Sequence, residues 1–117
     1  MTISVIIPVY NAAAHLELCL ASLAGTPIAP LGCIVVDDGS TDGSAEVARR
    51  FGATVLATGG RVGPARARNL GARAARGEIL FFIDSDVCVH PDTLERVRGD
   101  FGENPDLDGL IGSYDTS

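Results

Sequence analysis

The clearest chemical signal in this sequence is a pair of aspartates separated by one residue, Asp84 and Asp86. They follow residues 78–83, an apolar run typical of a buried strand, and in extended backbone both side chains project to the same side. Two carboxylates ~5 Å apart repel by roughly 3 kcal/mol at an effective dielectric near 20, a cost that a divalent cation removes. Because two carboxylates do not complete the shell of Mg²⁺ or Mn²⁺, the pair predicts a cation shared with the phosphates of a nucleoside diphosphate.

Polar side chains also follow two earlier apolar runs of the chain. Tyr10 comes after a β-branched run and Pro8, and Asp37 and Asp38 come directly after a second run. Since ligands bind at the carboxyl ends of parallel strands, we expect these side chains to join the acidic pair at one sheet edge. There an aromatic face can stack on a base and one of the two aspartates can accept its N–H. Packing for Tyr10, and capping or solvation for the aspartates, are the alternatives.

The nine basic residues of the chain are all arginines, and four of them fall on one predicted helix. Arg66 and Arg68 lie in its first turns, where the helix dipole disfavours cations, so a nearby anion would explain them. The alternatives are ion pairs with the acidic edge of the sheet or exposure to solvent. Arg73 and Arg76, near the end of the helix, are expected in solvent.

Other residues of reactive types fit structural roles. His15 and His90 have no partner at metal-ligand spacing and are expected at the surface or in helix caps. Asp42 is suited to capping the helix that follows it. A second pair of the same spacing, Asp106 and Asp108, precedes a predicted strand instead of following one. We therefore expect this second pair in a solvated loop away from the site.

Strands that are apolar throughout alternate with helices along the chain. Apolar residues at i, i+3, i+4 and i+7, with Asn11 as the expected N-cap, predict the first helix. This alternation predicts an α/β fold with a parallel sheet buried on both faces. No helix follows the last predicted strand, so we expect a fragment that stops after its fifth strand. The predicted strands are residues 3–7, 33–36, 53–57, 78–83 and 110–111, and the helices start at Asn11, at Thr41 or Asp42, at Pro64 and at Pro91.

The composition is that of one globular domain. The chain has 117 residues, of which 46% are hydrophobic, and fifteen acidic residues against nine arginines give a formal charge of −6. That charge argues against a nucleic-acid partner. Neither a membrane span nor a signal peptide is expected, because no apolar run is long enough. Three cysteines without metal or redox spacing indicate reduced thiols in a cytosolic protein.

Four motifs resemble, in order and approximate spacing, those of the family 2 glycosyltransferases, and the resemblance spans essentially the whole chain. It implies the GT-A fold, a three-layer Rossmann-like α/β sandwich with a mostly parallel sheet. It also makes residues 1–117 the N-terminal nucleotide-sugar-binding part of a glycosyltransferase domain. The motifs are SVIIPVYN at residues 4–11, VDDGSTD at 36–42, GPARARNLG at 63–71 and FIDSD at 82–86.

The resemblance implies an enzyme that transfers a sugar from a nucleotide-diphosphate donor, with a UDP-sugar favoured, to an unidentified acceptor saccharide or lipid. It implies an inverting, metal-dependent reaction, with Mn²⁺ or Mg²⁺ bound directly by Asp86 and supported by Asp84. The family draws its acceptor site and catalytic base from sequence beyond residue 117, so the isolated chain is expected to retain little transferase activity. The residues implied in donor binding are Pro8, Tyr10, Asp38, Arg68, Asp84 and Asp86.

One alternative to an enzyme stays open, a non-catalytic nucleotide-binding module in which the acidic edge binds without transfer. A dinucleotide-binding dehydrogenase domain and a sugar nucleotidyltransferase are disfavoured. Each is expected to carry a glycine-rich turn after its first strand, where this chain has PVYN. The full-length protein is expected in the cytoplasm, and its association with a membrane is left open.

Overall fold

The computed structural model describes residues 2–25, 32–88 and 96, together with the backbone of residues 110–112. Strands and helices alternate, as the sequence predicts. The elements are β1 (Ile3–Val9), α1 (Ala13–Ala24), β2 (Gly32–Asp37), α2 (Ser44–Arg50), β3 (Thr54–Ala57), α3 (Pro64–Ala74), β4 (Ile79–Ile83) and β5 (Leu110–Gly112).

Three expectations from the sequence lie outside the described residues. They are the helix starting at Pro91, of which only Arg96 is described and is helical, the role of His90, and the solvated loop of Asp106 and Asp108.

The five described strands form one sheet in the order β3-β2-β1-β4-β5, and every neighbouring pair is parallel. From β1 the chain builds outward through β2 to β3, then returns to place β4 on the other side of β1. The strand order therefore reverses between β1 and β4. In open α/β sheets a crevice for ligands opens at such a reversal, outside the carboxyl ends of the strands.

The core lies on both faces of the sheet, which confirms the prediction of a buried parallel sheet. One cluster joins alternate residues of β1, such as Val5 and Ile7, to Leu16 of α1 and Val47 of α2. The other joins Ile6 and its sheet neighbours to α3. Successive residues of β1 thus face opposite layers, as the two-residue period of a strand requires. The three layers are α1 with α2, the sheet, and α3.

The ends of several elements differ from the prediction. β1 continues through Pro8 to Val9, paired with β2, whereas its described pairing with β4 stops at Ile6 and Phe82. The two central strands therefore separate beneath the crevice. The carboxyl end of α3 also differs. The helix stops at Ala74, whereas the sequence predicted that it would continue to Arg76.

Two helix starts were also predicted wrongly. Asn11 is not the N-cap of α1, since Ala12 holds that position without a side-chain hydrogen bond. Asn11 instead adopts a positive φ of 47° and its Oδ1 accepts the Thr41 N–H at 2.8 Å. The second helix, α2, begins at Ser44 because the Asp42 carboxylate binds the Ser44 N–H at 3.0 Å. Because Asn11 and Thr41 lie on different loops, the contact between them could not be predicted from local sequence.

All three cysteines are free thiols, and burial raises the pKa of Cys19 and Cys33 to about 12, which keeps both thiols protonated and unreactive.

None of the helices within the described ranges is both long and apolar enough to pass through a bilayer.

Gly71 sets how closely α3 approaches the sheet. A Cβ atom at this position would lie 2.5 Å from Ile6 Cγ2 and 3.1 Å from Val36 Cγ2. We expect Gly71→Ala to lower the free energy of unfolding by about 1–3 kcal/mol, because the helix must shift away from the core. Urea denaturation measures this, with Gly32→Ala as the control, since no atom lies within 4 Å of the Cβ built there. Equal stability of the two variants would contradict the proposed close approach.

Candidate functional site

A cavity of about 390 Å³ opens at the carboxyl ends of the strands, where β1 and β4 separate. It is bordered by the ends of β1, β2 and β4, by the start of α1 and by the loop between β3 and α3. Its size is within the range of small-molecule sites. Five of the six residues that the sequence predicts for the site line it. The lining residues are Pro8, Val9, Tyr10, Ala12, His15, Asp38, Arg61, Pro64, Asp84, Ser85 and Asp86.

The two carboxylates that follow β4 differ in their surroundings. Both are exposed on the turn after the strand. Arg68, the sixth predicted residue, lies on α3 and is not among the lining residues, and its Nη2 donates to Asp84 Oδ1 at 3.2 Å. Among the described residues, no hydrogen bond or ion pair engages the Asp86 carboxylate. Asp84 is therefore held in place, whereas Asp86 is available to a ligand.

The acidic pair has the oxygen ligands that Mg²⁺ and Mn²⁺ prefer, but it does not form a complete metal site. No group of three or more histidine, cysteine, aspartate or glutamate side chains within the described ranges could hold an ion. Mg²⁺ typically keeps several waters and binds through one or two carboxylates together with substrate phosphates. The residues present thus fit a cation that arrives with a phosphate ligand, and they do not fit a preformed site made of protein alone.

Asp38 is the most enclosed polar residue of the cavity, with 3% of its surface exposed. Its carboxylate binds the loop between β3 and α3. Oδ1 accepts the Val62 N–H at 2.8 Å and the Thr58 hydroxyl at 3.0 Å, and Oδ2 accepts the Gly63 N–H at 3.0 Å. Arg61 Nε lies 3.4 Å from the same Oδ2. Three hydrogen bonds and one ion pair therefore engage the two oxygens of this carboxylate.

These donors also determine the charge state of Asp38. Burial alone would raise the pKa of the carboxyl group, but the hydrogen bonds from Val62, Thr58 and Gly63 and the charge of Arg61 outweigh it and lower the pKa below its ordinary value. Asp38 is thus a buried carboxylate that stays ionised at neutral pH. Its charge organises the loop.

Tyr10 presents its ring to the cavity but does not leave the ring face open. The guanidinium carbon of Arg61 lies 3.7 Å from the ring centroid, which is a close cation–π contact. Tyr10 remains 43% exposed, since only one part of the side chain is covered. The aromatic face that the sequence offers for stacking on a base is therefore in contact with an arginine.

Sequence reasoning did not assign two basic side chains of the cavity, those of Arg61 and His15, to the site. Arg61 follows the carboxyl end of β3 within the glycine-rich stretch 59–63, so the rule that placed Tyr10 and Asp38 at this edge would also have found it. His15 was expected at the surface or in a cap. It is exposed on α1, as expected, but it lines the same cavity as the acidic pair.

The other two aspartates near β2 serve the surrounding loops. Asp37 Oδ1 accepts the Ser40 N–H at 2.9 Å. Asp42 accepts the N–H and hydroxyl of Ser44 with one oxygen and the Ala13 N–H, at 3.2 Å, with the other. The hydrogen bond from the Ser44 hydroxyl is the main cause that lowers the pKa of Asp42. Of the neighbours Asp37 and Asp38, only Asp38 lines the cavity.

Comparison with known proteins finds a matching family model and related sequences. The family model for glycosyl transferase family 2 matches residues 4–116. Glycosyltransferase GlyG of Streptococcus pneumoniae is 34% identical over 117 residues, covering 96% of this chain and 38% of the relative. Glycosyltransferase AglE of Haloferax volcanii is 39% identical over 101 residues, covering 80% of this chain and 33% of the relative. The chain thus spans about a third of the length of these relatives.

Solved structures give the same result for the fold. Residues 1–349 of S. aureus TarS, in complex with UDP-GlcNAc, match with a TM-score of 0.82 and 30% identity, over 90% of this chain and 32% of that one. The mannosyltransferase PcManGT of Pyrobaculum calidifontis, in complex with GDP-Man and Mn²⁺, matches with a TM-score of 0.80 and 31% identity, over 87% and 32% of the two chains. Both neighbours were solved with a nucleotide sugar bound.

Proposed function

The chain belongs to glycosyl transferase family 2, and from this premise we propose that it forms the nucleotide-sugar-binding part of a glycosyltransferase. One observation carries the proposal: Tyr10, Asp38, Asp84 and Asp86 line a single cavity at the reversal point of the sheet. An aromatic ring and a buried acceptor at one side of this cavity suit a base, and a carboxylate pair at the other suits a cation bound to phosphates. The names of the relatives favour an enzyme over a binding module.

Each side of the proposed donor site has its own residues. Pro8, Tyr10 and Asp38 would hold the base, and the favoured donor is a UDP-sugar. Asp84 and Asp86 would face the diphosphate, with Arg68 orienting Asp84 by the contact at 3.2 Å. Holding the carboxylate in one orientation reduces the entropy lost when a ligand binds.

Mn²⁺ or Mg²⁺ would be held by Asp86 directly and by Asp84, and when bound it would neutralise negative charge on the departing diphosphate. Without an ion, the two carboxylates repel an anionic ligand. The ion pair between Arg68 and Asp84 reduces that repulsion at one carboxylate, and the Asp86 carboxylate stays available. Donor binding by this chain is therefore proposed to depend on a divalent cation.

The acceptor and the catalytic base stay predictions from the family resemblance. The chain spans only 38% and 33% of the two relatives compared above, and a base that deprotonates an acceptor hydroxyl is expected from sequence after residue 117. An acceptor saccharide or lipid, and inversion at the anomeric carbon, belong to the same expectation.

Thermal unfolding with UDP, GDP or dTDP, each with and without Mn²⁺, tests donor binding. We expect one diphosphate to stabilise the chain only when Mn²⁺ is present. At a hundredfold excess over Kd the gain is about 2.7 kcal/mol, which corresponds to a rise in Tm of about 10 °C. Mn²⁺ alone and each nucleotide alone are the controls. Absence of stabilisation by all three diphosphates with Mn²⁺ would overturn the proposed function.

A further inference from the structure

Arg61 makes the two contacts that a nucleobase would make in this cavity. Its planar guanidinium lies 3.7 Å from the Tyr10 ring centroid, and its Nε lies 3.4 Å from Asp38 Oδ2. A base that stacks on an aromatic ring and donates a ring N–H to a carboxylate uses the same surface and the same acceptor. We propose that Arg61 occupies the base site until a nucleotide enters, and that it then turns to the diphosphate. The inference rests on the proposed function.

The base and the Arg61 guanidinium cannot both contact the same part of the ring. A separation of 3.7 Å is already van der Waals contact, so no second planar group fits between the two side chains. The carboxylate of Asp38 is also engaged, because it accepts three hydrogen bonds and forms an ion pair with Arg61 at 3.4 Å. A base must therefore displace Arg61 from both partners at once.

The structure allows this side chain to leave without disturbing the loop. The Arg61 side chain is 52% exposed, and its neighbours Val62 and Gly63 are bound through their backbone N–H groups to Asp38. Gly39 supports the other side of the loop, since a Cβ there would lie 3.1 Å from the Arg61 backbone nitrogen. Departure of the guanidinium would break its ion pair with Asp38 and leave the three hydrogen bonds of this carboxylate in place.

The charges of the cavity determine where the displaced guanidinium goes. The carboxylates among the other lining residues are those of Asp84 and Asp86, and these are the groups proposed to hold a cation and the diphosphate. A guanidinium binds phosphate oxygens through two parallel hydrogen bonds. The displaced side chain is therefore more stable in contact with the diphosphate than without a partner in the cavity. Arg61 thus becomes a specificity-determining residue that favours nucleoside diphosphates over nucleosides.

Paired titrations with uridine and with UDP plus Mn²⁺ test this role, with the wild-type chain compared with Arg61→Ala. We expect the variant to bind uridine about threefold to tenfold more tightly, because nothing has to be displaced. It should bind UDP about tenfold more weakly, because a charge-assisted contact to phosphate is lost. Arg61→Lys should raise the uridine affinity similarly and retain more of the UDP affinity. Isothermal titration calorimetry and chemical-shift titration measure the two ligands.

The matched control is Arg73→Ala, which removes the same charge from the exposed end of α3, away from the cavity, and should change neither affinity. The opposite direction of the two changes identifies the proposed role. If Arg61→Ala shifts both affinities in the same direction, or shifts neither, the inference is overturned. A wild-type chain that binds no nucleoside diphosphate would instead refute the proposed function, and this inference with it. The two failures are distinguishable, because the first is seen only in the Arg61→Ala variant and the second already in the wild-type chain.

Discussion

Asp86→Ala is expected to abolish the Mn²⁺-dependent stabilisation by a nucleoside diphosphate. The loss should reach the full gain of about 2.7 kcal/mol at ligand concentrations a hundredfold above the wild-type Kd. Of the two carboxylates, Asp84 already has one oxygen bound to Arg68 at 3.2 Å, so Asp86 is the carboxylate with both oxygens available to an ion. One remaining, already paired carboxylate cannot retain a cation that needs several oxygen ligands.

The unliganded Asp86→Ala variant should be as stable as the wild-type chain or slightly more so, because one like charge is removed from the acidic pair. A lost response to ligand is then not a consequence of unfolding. Glu46→Ala, which removes an exposed acid from the first turn of α2, is the control and should retain the full response. Thermal unfolding and calorimetry with Mn²⁺ and UDP give the comparison. Wild-type behaviour of Asp86→Ala would show that another residue ligates the metal.

Asp38→Asn is expected to lower the free energy of unfolding by about 3–5 kcal/mol, since it removes a buried charge from its hydrogen-bonded partners. The amide nitrogen of asparagine cannot accept the N–H groups that one carboxylate oxygen now binds. Either Gly63 or Val62 would lose the acceptor of its partly buried N–H. Asp37→Asn is the neighbouring control, and we expect it to cost about 1 kcal/mol or less, since Asp37 accepts one described hydrogen bond, from Ser40.

The same substitution should change the acid sensitivity of the protein. The pKa of Asp38 is lowered in the folded state, so its contribution to stability is fully present above about pH 4 and is lost as the pH falls through the folded pKa. Asp38→Asn should therefore lose less stability than the wild-type chain between pH 5 and about pH 2.5, although Asp42 retains a similar dependence. Urea denaturation across this range measures the difference, and parallel curves for the two proteins would contradict it.

Sequence patterns predicted the sheet and its functional edge because both follow from regular rules. Apolar runs that alternate with helices require a buried parallel sheet, and residues that follow such runs must meet at its carboxyl edge. The positions of Tyr10, Asp38 and Asp86 around one cavity follow from these rules. The α/β fold followed from the same rules, whereas the family was predicted from the resemblance of four motifs.

Contacts made between loops were beyond these rules. Asn11 has the residue type and position of an N-cap, yet its side chain binds the Thr41 N–H, thirty positions along the chain. The contacts that Asp38 makes depend on the path of the loop after β3, where Gly59, Gly60 and Gly63 adopt positive φ angles. The direction of that loop determines whether Arg61 reaches Tyr10. Nothing in the local pattern specifies that direction.

The central position of β1 has a consequence for the order in which the protein assembles. Its partner β2 lies one helical connection away, but its partner β4 is reached only after more than seventy positions, as in the 2.8 Å contact of Gly77 N–H with Ser4 Oγ. Closing the longer loop costs more chain entropy and delays the pairing. During synthesis at the ribosome, the half of the cavity with Tyr10 and Asp38 can form while the acidic half has yet to emerge. During that time β1 has one unprotected edge, at risk of pairing with another nascent copy.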